Sequence, residues 1–222
     1  VIIFDDADAA VAAKAMAASK FRNAGQVCIS PTRFLVQEGI YDSFVEQFVA
    51  AAKALKVGNG LDKETRMGAL ANPRRSKAME VNLEDAGRHG GKLRAGGHAI
   101  GDKGNFWEPT VITELDNDAK VMNEEPFGPL AIINPFKSFE DAVKEANRLP
   151  FGLAAYAWTK SAKTANAIAA SVETGMISIN HVGLGIPETP FGGVKDSGYG
   201  SEGGSEAIGS YMNPTFITQA RR

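Results

Sequence analysis

The stretch from Ala154 to Asn180 constrains the fold more than any other. An apolar segment, Ala154–Trp158, leads into a helix-forming stretch, Ser161–Glu173, closed by Gly175, and then into a second apolar segment, Met176–Asn180. Strand, helix and strand of this length fit a right-handed crossover between parallel neighbours. The same alternation runs through the rest of the chain. Val1-Ile2-Ile3-Phe4 has buried-strand character, and the Ala-rich segment from Ala9 to about Arg22 has high helix propensity behind an acidic start that suits the helix dipole. Asn23-Ala24-Gly25 breaks that helix. Phe34-Leu35-Val36 is a short strand, and Tyr41, Phe44, Val45, Phe48, Val49, Ala52 and Leu55 recur at helical spacing before Gly58. A helix from Asn72 to His89 stops at Gly90-Gly91, with strands expected at Pro109–Leu115 and Leu130–Ile133. Ser138-Phe-Glu-Asp141 matches a capping box ahead of an apolar-periodic run ending near Leu149-Pro150. The expected fold class is α/β, a mostly parallel sheet with flanking helices.

After Asn180 the character changes, because Gly, Pro and polar residues dominate up to Gly204, a connection of the length that functional loops reach. Pro214–Thr218 is expected as a terminal strand that, with little chain left to pair it, adds to a partner's sheet. Composition narrows the function classes. With 44% hydrophobic and 23% charged residues in 222, the chain can bury a substantial core. Lys+Arg of 24 against Asp+Glu of 26 leaves −2, so no electrostatic footprint for nucleic acid or an anionic membrane stands out. No apolar run approaches the roughly twenty residues that cross a bilayer. One cysteine, Cys28, and three histidines, His89, His98 and His181, exclude an intramolecular disulfide and a Cys-rich zinc site, so no metal is expected and a reducing, cytoplasmic setting fits.

Four motifs carry chemistry or imitate it. Gly198-Tyr-Gly200-Ser-Glu-Gly203 spells a dinucleotide fingerprint but lacks the preceding strand and following crossover that give the pattern meaning. Gly91-Lys92 lacks the earlier glycine and the following hydroxyl of a P-loop, with Ala86 and Leu93 in those places. Cys28 sits in Phe21-Arg-Asn-Ala-Gly-Gln-Val-Cys28-Ile-Ser30, a polar, Gly-containing segment as a reactive thiol needs, although a lone cysteine is commonly a small buried hydrophobe. Asn123-Glu124-Glu125-Pro126-Phe127-Gly128-Pro129 sets two acids and an aromatic in a proline-bounded turn, either plain and solvated or built to bind hydroxyls beside a packed ring.

Together these segments resemble the aldehyde dehydrogenase superfamily over essentially the whole chain. Phe21–Cys28 looks like its active-site cysteine signature; Asn105-Phe-Trp-Glu-Pro109-Thr-Val111, Glu125-Pro-Phe-Gly-Pro129 and Pro190-Phe-Gly-Gly-Val-Lys195-Asp-Ser-Gly198 look like further family blocks. The resemblance implies that Cys28 attacks an aldehyde carbon to give a thiohemiacetal, then a thioester that water releases as the acid, with NAD or NADP as the cofactor. It implies that the Cys28 backbone N–H helps hold the oxyanion, that Glu125 binds ribose hydroxyls, that Phe127 packs near the nicotinamide, and that Phe191 and the loop from His181 to Pro187 line the substrate channel.

The resemblance also implies a division into a catalytic thiol domain over 1–204 and an oligomerisation segment over 205–222. The family's nucleotide-binding domain, oxyanion-holding Asn and general-base Glu are expected upstream of Val1. The expected activity is therefore that of a fragment, inactive by itself as a dehydrogenase, whose longer parent is a homo-oligomer acting on a small aldehyde. Arg22 matches the arginine with which succinate-semialdehyde dehydrogenases hold a carboxylate, a task suited to a bidentate guanidinium; the alternative is a helix-terminal arginine answering the dipole. Two departures leave other semialdehyde acids open: Gly183-Leu-Gly-Ile-Pro187 lacks an assisting serine, and Ser30 stands where some members carry a second cysteine. Two other classes compete. A cofactor-independent thiol esterase or acyltransferase would need a histidine beside Cys28, and a non-catalytic scaffold would use the terminal strand alone.

Overall fold

In the computed structural model, which describes residues 1–221, the alternation becomes a seven-stranded sheet with helices on both faces. The chain runs β1 (Ile2–Ile3), α1 (Ala9–Phe21), β2 (Arg33–Gln37), α2 (Tyr41–Lys53), α3 (Pro73–Arg88), β3 (Lys92–Ala95), β4 (Thr110–Thr113) and α4 (Lys120–Asn123). It continues through β5 (Leu130–Phe136), α5 (Phe139–Ala146), β6 (Phe151–Gly152), β7 (Ala154–Trp158), α6 (Ala162–Ser171), β8 (Met176–Ile179) and β9 (Val194–Lys195). The sheet order is β3-β4-β5-β2-β1-β7-β8, and every pairing is parallel except the antiparallel edge strand β3 on β4. β6 and β9 form a separate antiparallel pair.

The central strands are apolar on both faces, as strands covered on both sides must be. Ile3, Phe34, Val36, Tyr156 and Trp158 join one core with α1, α2 and α3, while Ile2, Leu35 and Ala157 face the opposite way onto α5 and α6. The larger core is knit by rings: Phe48 lies 5.0 Å from Phe34, 5.7 Å from Phe44 and 6.0 Å from Phe21, centroid to centroid. Burying each such ring contributes about 1.5–3 kcal/mol. The helix ends follow their sequence signals. Asp8 accepts from Ala10 N and Val11 N at 3.0 and 3.1 Å, and the capping box at α5 forms in both directions between Ser138 and Asp141 at 3.1 Å.

Three regions differ from expectation. Lys92-Leu-Arg-Ala95 pairs as an edge strand although its residues are mostly exposed, so the apolar signal that marks inner strands is missing. Ser205–Tyr211 forms a 3-10 helix. The strand expected at 214–218 is not formed among the described residues; Phe216 and Ile217 are exposed, and Arg222, the last residue of the expected 205–222 oligomerisation segment, lies outside the described residues. No helix among the described residues is long and apolar enough to cross a membrane.

Candidate active site

Because the inner strands are parallel, the segments entering them gather at one end of the sheet. Cys28 precedes β2, Glu125 precedes β5 and Leu153 precedes β7, and these residues line one cavity of about 440 Å³ at the amino ends of the strands. Ligands in open α/β sheets usually sit at the carboxyl ends, so the strand order alone would have pointed to the wrong side.

The thiol owes its position to an irregular exit from α1. Arg22 turns the chain out of the helix, and Asn23, Ala24 and Gly25 follow with φ of 51°, 52° and 71°, three left-handed residues in succession. Each non-glycine there costs roughly 1–2 kcal/mol. Compensation comes from Asn23 Nδ2 donating to Gln26 O at 2.9 Å and Gln26 Nε2 donating to Asn23 O at 3.1 Å, while Gln26 Oε1 accepts from Ala71 N at 2.9 Å. Ser30 N closes a turn on Val27 O at 2.8 Å, leaving Cys28 exposed within it, and the Tyr156 hydroxyl donates to Ile29 O at 2.8 Å. Burial pushes the Tyr156 phenol up to about 12, against the opposing field of Arg22, so it remains a donor at neutral pH.

The acidic turn is built against this loop. A side chain on Gly25 would overlap the Gly128 carbonyl, so glycine is what lets the two segments touch. Phe127 has a φ of 42°, and Arg75 of α3 donates to the carbonyls of Pro126 and Phe127 while its Nε is buried without a partner. Upstream, Asn123 Nδ2 donates to Asn117 O and Ala119 O, and its Oδ1 accepts from Arg148 at 2.6 Å. Arg148 also pairs with Glu145, which meets Arg33 of the cavity lining at 2.5 Å. Glu125 itself makes no hydrogen bond or ion pair among the described residues; desolvation raises its pKa above the usual carboxylate value, with Lys20 and Arg75 opposing.

Cys28 and Glu125 thus share the cavity. Arg22, Phe127 and Phe191 do not line it. Arg22 is exposed at the start of the same loop, within reach of the Tyr156 hydroxyl's field, and no hydrogen bond or ion pair engages it among the described residues. Phe127 is exposed beside Glu125. Phe191 is backbone-paired to Glu202 and packs on the larger core that also holds Leu184 of the 181–187 loop. None of the three histidines lines the Cys28 cavity, and no cluster of metal-binding side chains occurs among the described residues. The Gly198–Gly203 pattern lies in turns and not at the head of a crossover. Sequence reasoning missed Lys20, Arg75 and Tyr156. Lys20 alone had left a signal, since it falls on the stripe of Ala12, Ala13, Met16 and Ala17.

The model of the aldehyde dehydrogenase family matches residues 1–217. A putative 4-(hydroxymethyl)benzenesulfonate dehydrogenase of Comamonas testosteroni is 44% identical over 98% of this chain and 45% of its own length. The mitochondrial succinate-semialdehyde dehydrogenase of Oryza sativa subsp. japonica is 42% identical over 97% of this chain and 41% of its own. The crystal structure of an NAD-dependent aldehyde dehydrogenase from Sinorhizobium meliloti matches with a TM-score of 0.92 at 36% identity, over 95% of this chain and 42% of that one. The chain spans less than half the length of these relatives.

Proposed function

The chain belongs to the aldehyde dehydrogenase family, and on that premise we propose that it supplies the thiol half of an active site that oxidises an acid-bearing aldehyde. The observation that carries this reading is the placing of Cys28 and Glu125 on one cavity, held together by the Gly25–Gly128 approach. Cys28 Sγ forms a bond to the aldehyde carbon, and the carbonyl oxygen takes the negative charge, which the Cys28 backbone N–H would help to hold. Loss of two electrons and the aldehyde hydrogen converts this adduct to a thioester on Cys28. Water then cleaves the carbon–sulfur bond, releasing the acid and restoring the thiol. A nicotinamide nucleotide, when bound, supplies the two-electron acceptor. The residues fit such a group: Glu125 offers an exposed carboxylate, unengaged among the described residues, to ribose hydroxyls, with Phe127 exposed two residues on.

Arg22 supports the acid-bearing substrate, since its guanidinium is exposed and unengaged near the thiol loop. The names of two relatives, a putative 4-(hydroxymethyl)benzenesulfonate dehydrogenase and a succinate-semialdehyde dehydrogenase, point the same way. Phe191 and the 181–187 loop would border the approach to the thiol. Exposed Phe216 and Ile217 favour a second copy as the partner of the C-terminal segment.

Aldehyde addition is testable in the chain itself, because its single cysteine makes alkylation unambiguous. Succinate semialdehyde should protect Cys28 from iodoacetamide better than butyraldehyde does, and Arg22→Ala should erase the difference. Absence of protection at saturating aldehyde would overturn the nucleophile role, and equal protection by both aldehydes would remove the carboxylate role of Arg22. With NAD or NADP added, the 222 residues by themselves should give no steady NADH or NADPH.

A further inference from the structure

Lys20 lies in the last turn of α1, on the inward face, and its side chain is completely buried. Burying a charged amine costs several kcal/mol when no counter-ion is close. Among the described residues no carboxylate lies within ion-pair distance of Nζ, whose one hydrogen bond goes to Thr32 Oγ1 at 3.3 Å. The backbone of Lys20 grips the same segment, for its carbonyl accepts from Ser30 Oγ at 3.2 Å, and Thr32 Oγ1 donates on to Ser30 O at 3.3 Å. Ser30 and Thr32 line the cavity with Cys28. An apolar residue would fill this site without the desolvation cost, so packing does not account for an amine here.

We propose that Lys20 is a positioning residue for Cys28, fixing the Cys28–Thr32 segment through Ser30 and Thr32 and placing a positive charge behind the lining of the cavity that the thiol shares with Glu125. The proposal rests on Cys28 being the reactive thiol, and its test reads that thiol without aldehyde or nucleotide, so the two can fail separately. Burial lowers the Lys20 amine to about 7, with Glu125 opposing; Glu125, from the turn before β5, is the charged group that faces it. Near neutrality the amine therefore gains or loses its charge, and with it the positive charge behind the cavity lining.

The rate of Cys28 alkylation by iodoacetamide, followed across both ionisations, should show a second inflection near neutrality in the wild-type chain. Lys20→Met should leave a single thiol ionisation and slow alkylation at neutral pH by about three- to tenfold. Thr32→Val should shift the profile the same way by less, and Thr32→Ser, which keeps the hydroxyl, should restore it. Should Lys20→Met not fold, the Thr32 pair decides alone. Profiles of folded Lys20→Met or Thr32→Val that superimpose on wild type would overturn the proposal.

Discussion

The two ends of the sheet are built on different terms. At the carboxyl ends, loops are stitched by reciprocal pairs. Asn134 accepts from Leu115 N at 2.9 Å and donates to Leu115 O at 2.7 Å, while Asn180 accepts from Thr159 N at 3.0 Å and donates to Thr159 O at 2.8 Å. The Thr159 hydroxyl in turn donates to Asp6 at 2.8 Å. At the amino ends stand three successive left-handed residues, a buried amine with one hydroxyl partner and a buried Arg75 Nε with none. Single left-handed residues occur at the carboxyl ends too, at Glu114 and Asn180, and Nε1 of Trp158, the last residue of β7, is buried without a partner. A run of three left-handed residues and an unpaired buried charge set the amino ends apart, around a thiol. Strain persists where surrounding structure over-determines it, and such places cluster at working sites. The contrast coincides with the cavity that Cys28 and Glu125 line, which the carboxyl-end rule would miss.

Three experiments would break or sharpen this contrast. Gly25→Val forces a β-branched side chain into a left-handed position and into the Gly128 carbonyl, and should cost roughly 4 kcal/mol or more. Urea unfolding measures it; a folded variant with unchanged Cys28 alkylation would show that the two amino-end segments are not coupled. The second test uses pH. The Lys20 amine has its ordinary value of 10.5 in the unfolded chain and about 7 when folded, so between those values the unfolded chain binds the extra proton. Stability should therefore be lowest below about 7 and climb as pH rises toward 10.5, by on the order of 5 kcal/mol, a slope that Lys20→Met removes. A wild-type stability curve that parallels that of Lys20→Met would refute it. The smallest effect belongs to the stitched end. Asn134→Ala should cost about 2 kcal/mol by leaving the Leu115 backbone unpaired, with no change in Cys28 alkylation. Altered alkylation there would erase the distinction between the ends.

Much of the architecture was legible because local signals and tertiary environment agreed. The stripe of Phe44, Val45, Phe48 and Ala52 faces the core as its spacing predicts, and Ser138 caps α5 as its box predicts. β3 was illegible because an edge strand needs no apolar face on its exposed side. For the site, Cys28 and Glu125 were found through family blocks, whereas what binds them together was not. The Gly25–Gly128 contact joins residues a hundred positions apart, and Arg75 reaches the Phe127 turn from another helix. Such long-range partners leave no periodicity. Lys20 was hidden by its type, since lysine is read as a surface residue even on an apolar stripe.

β1 lies in the interior of the sheet and is only two residues long, with Ile2 facing Leu35 on one side and Ala157 on the other. During synthesis, therefore, β1 cannot be flanked on both sides until β7 has left the ribosome. The segment carrying the thiol emerges long before that closure. Non-local parallel pairings form slowly, because loop closure precedes the contacts that reward it. The nascent chain should thus expose Cys28 and the apolar edges of β1 and β2 until β7 is made, a window in which chaperone capture or premature oxidation competes with folding.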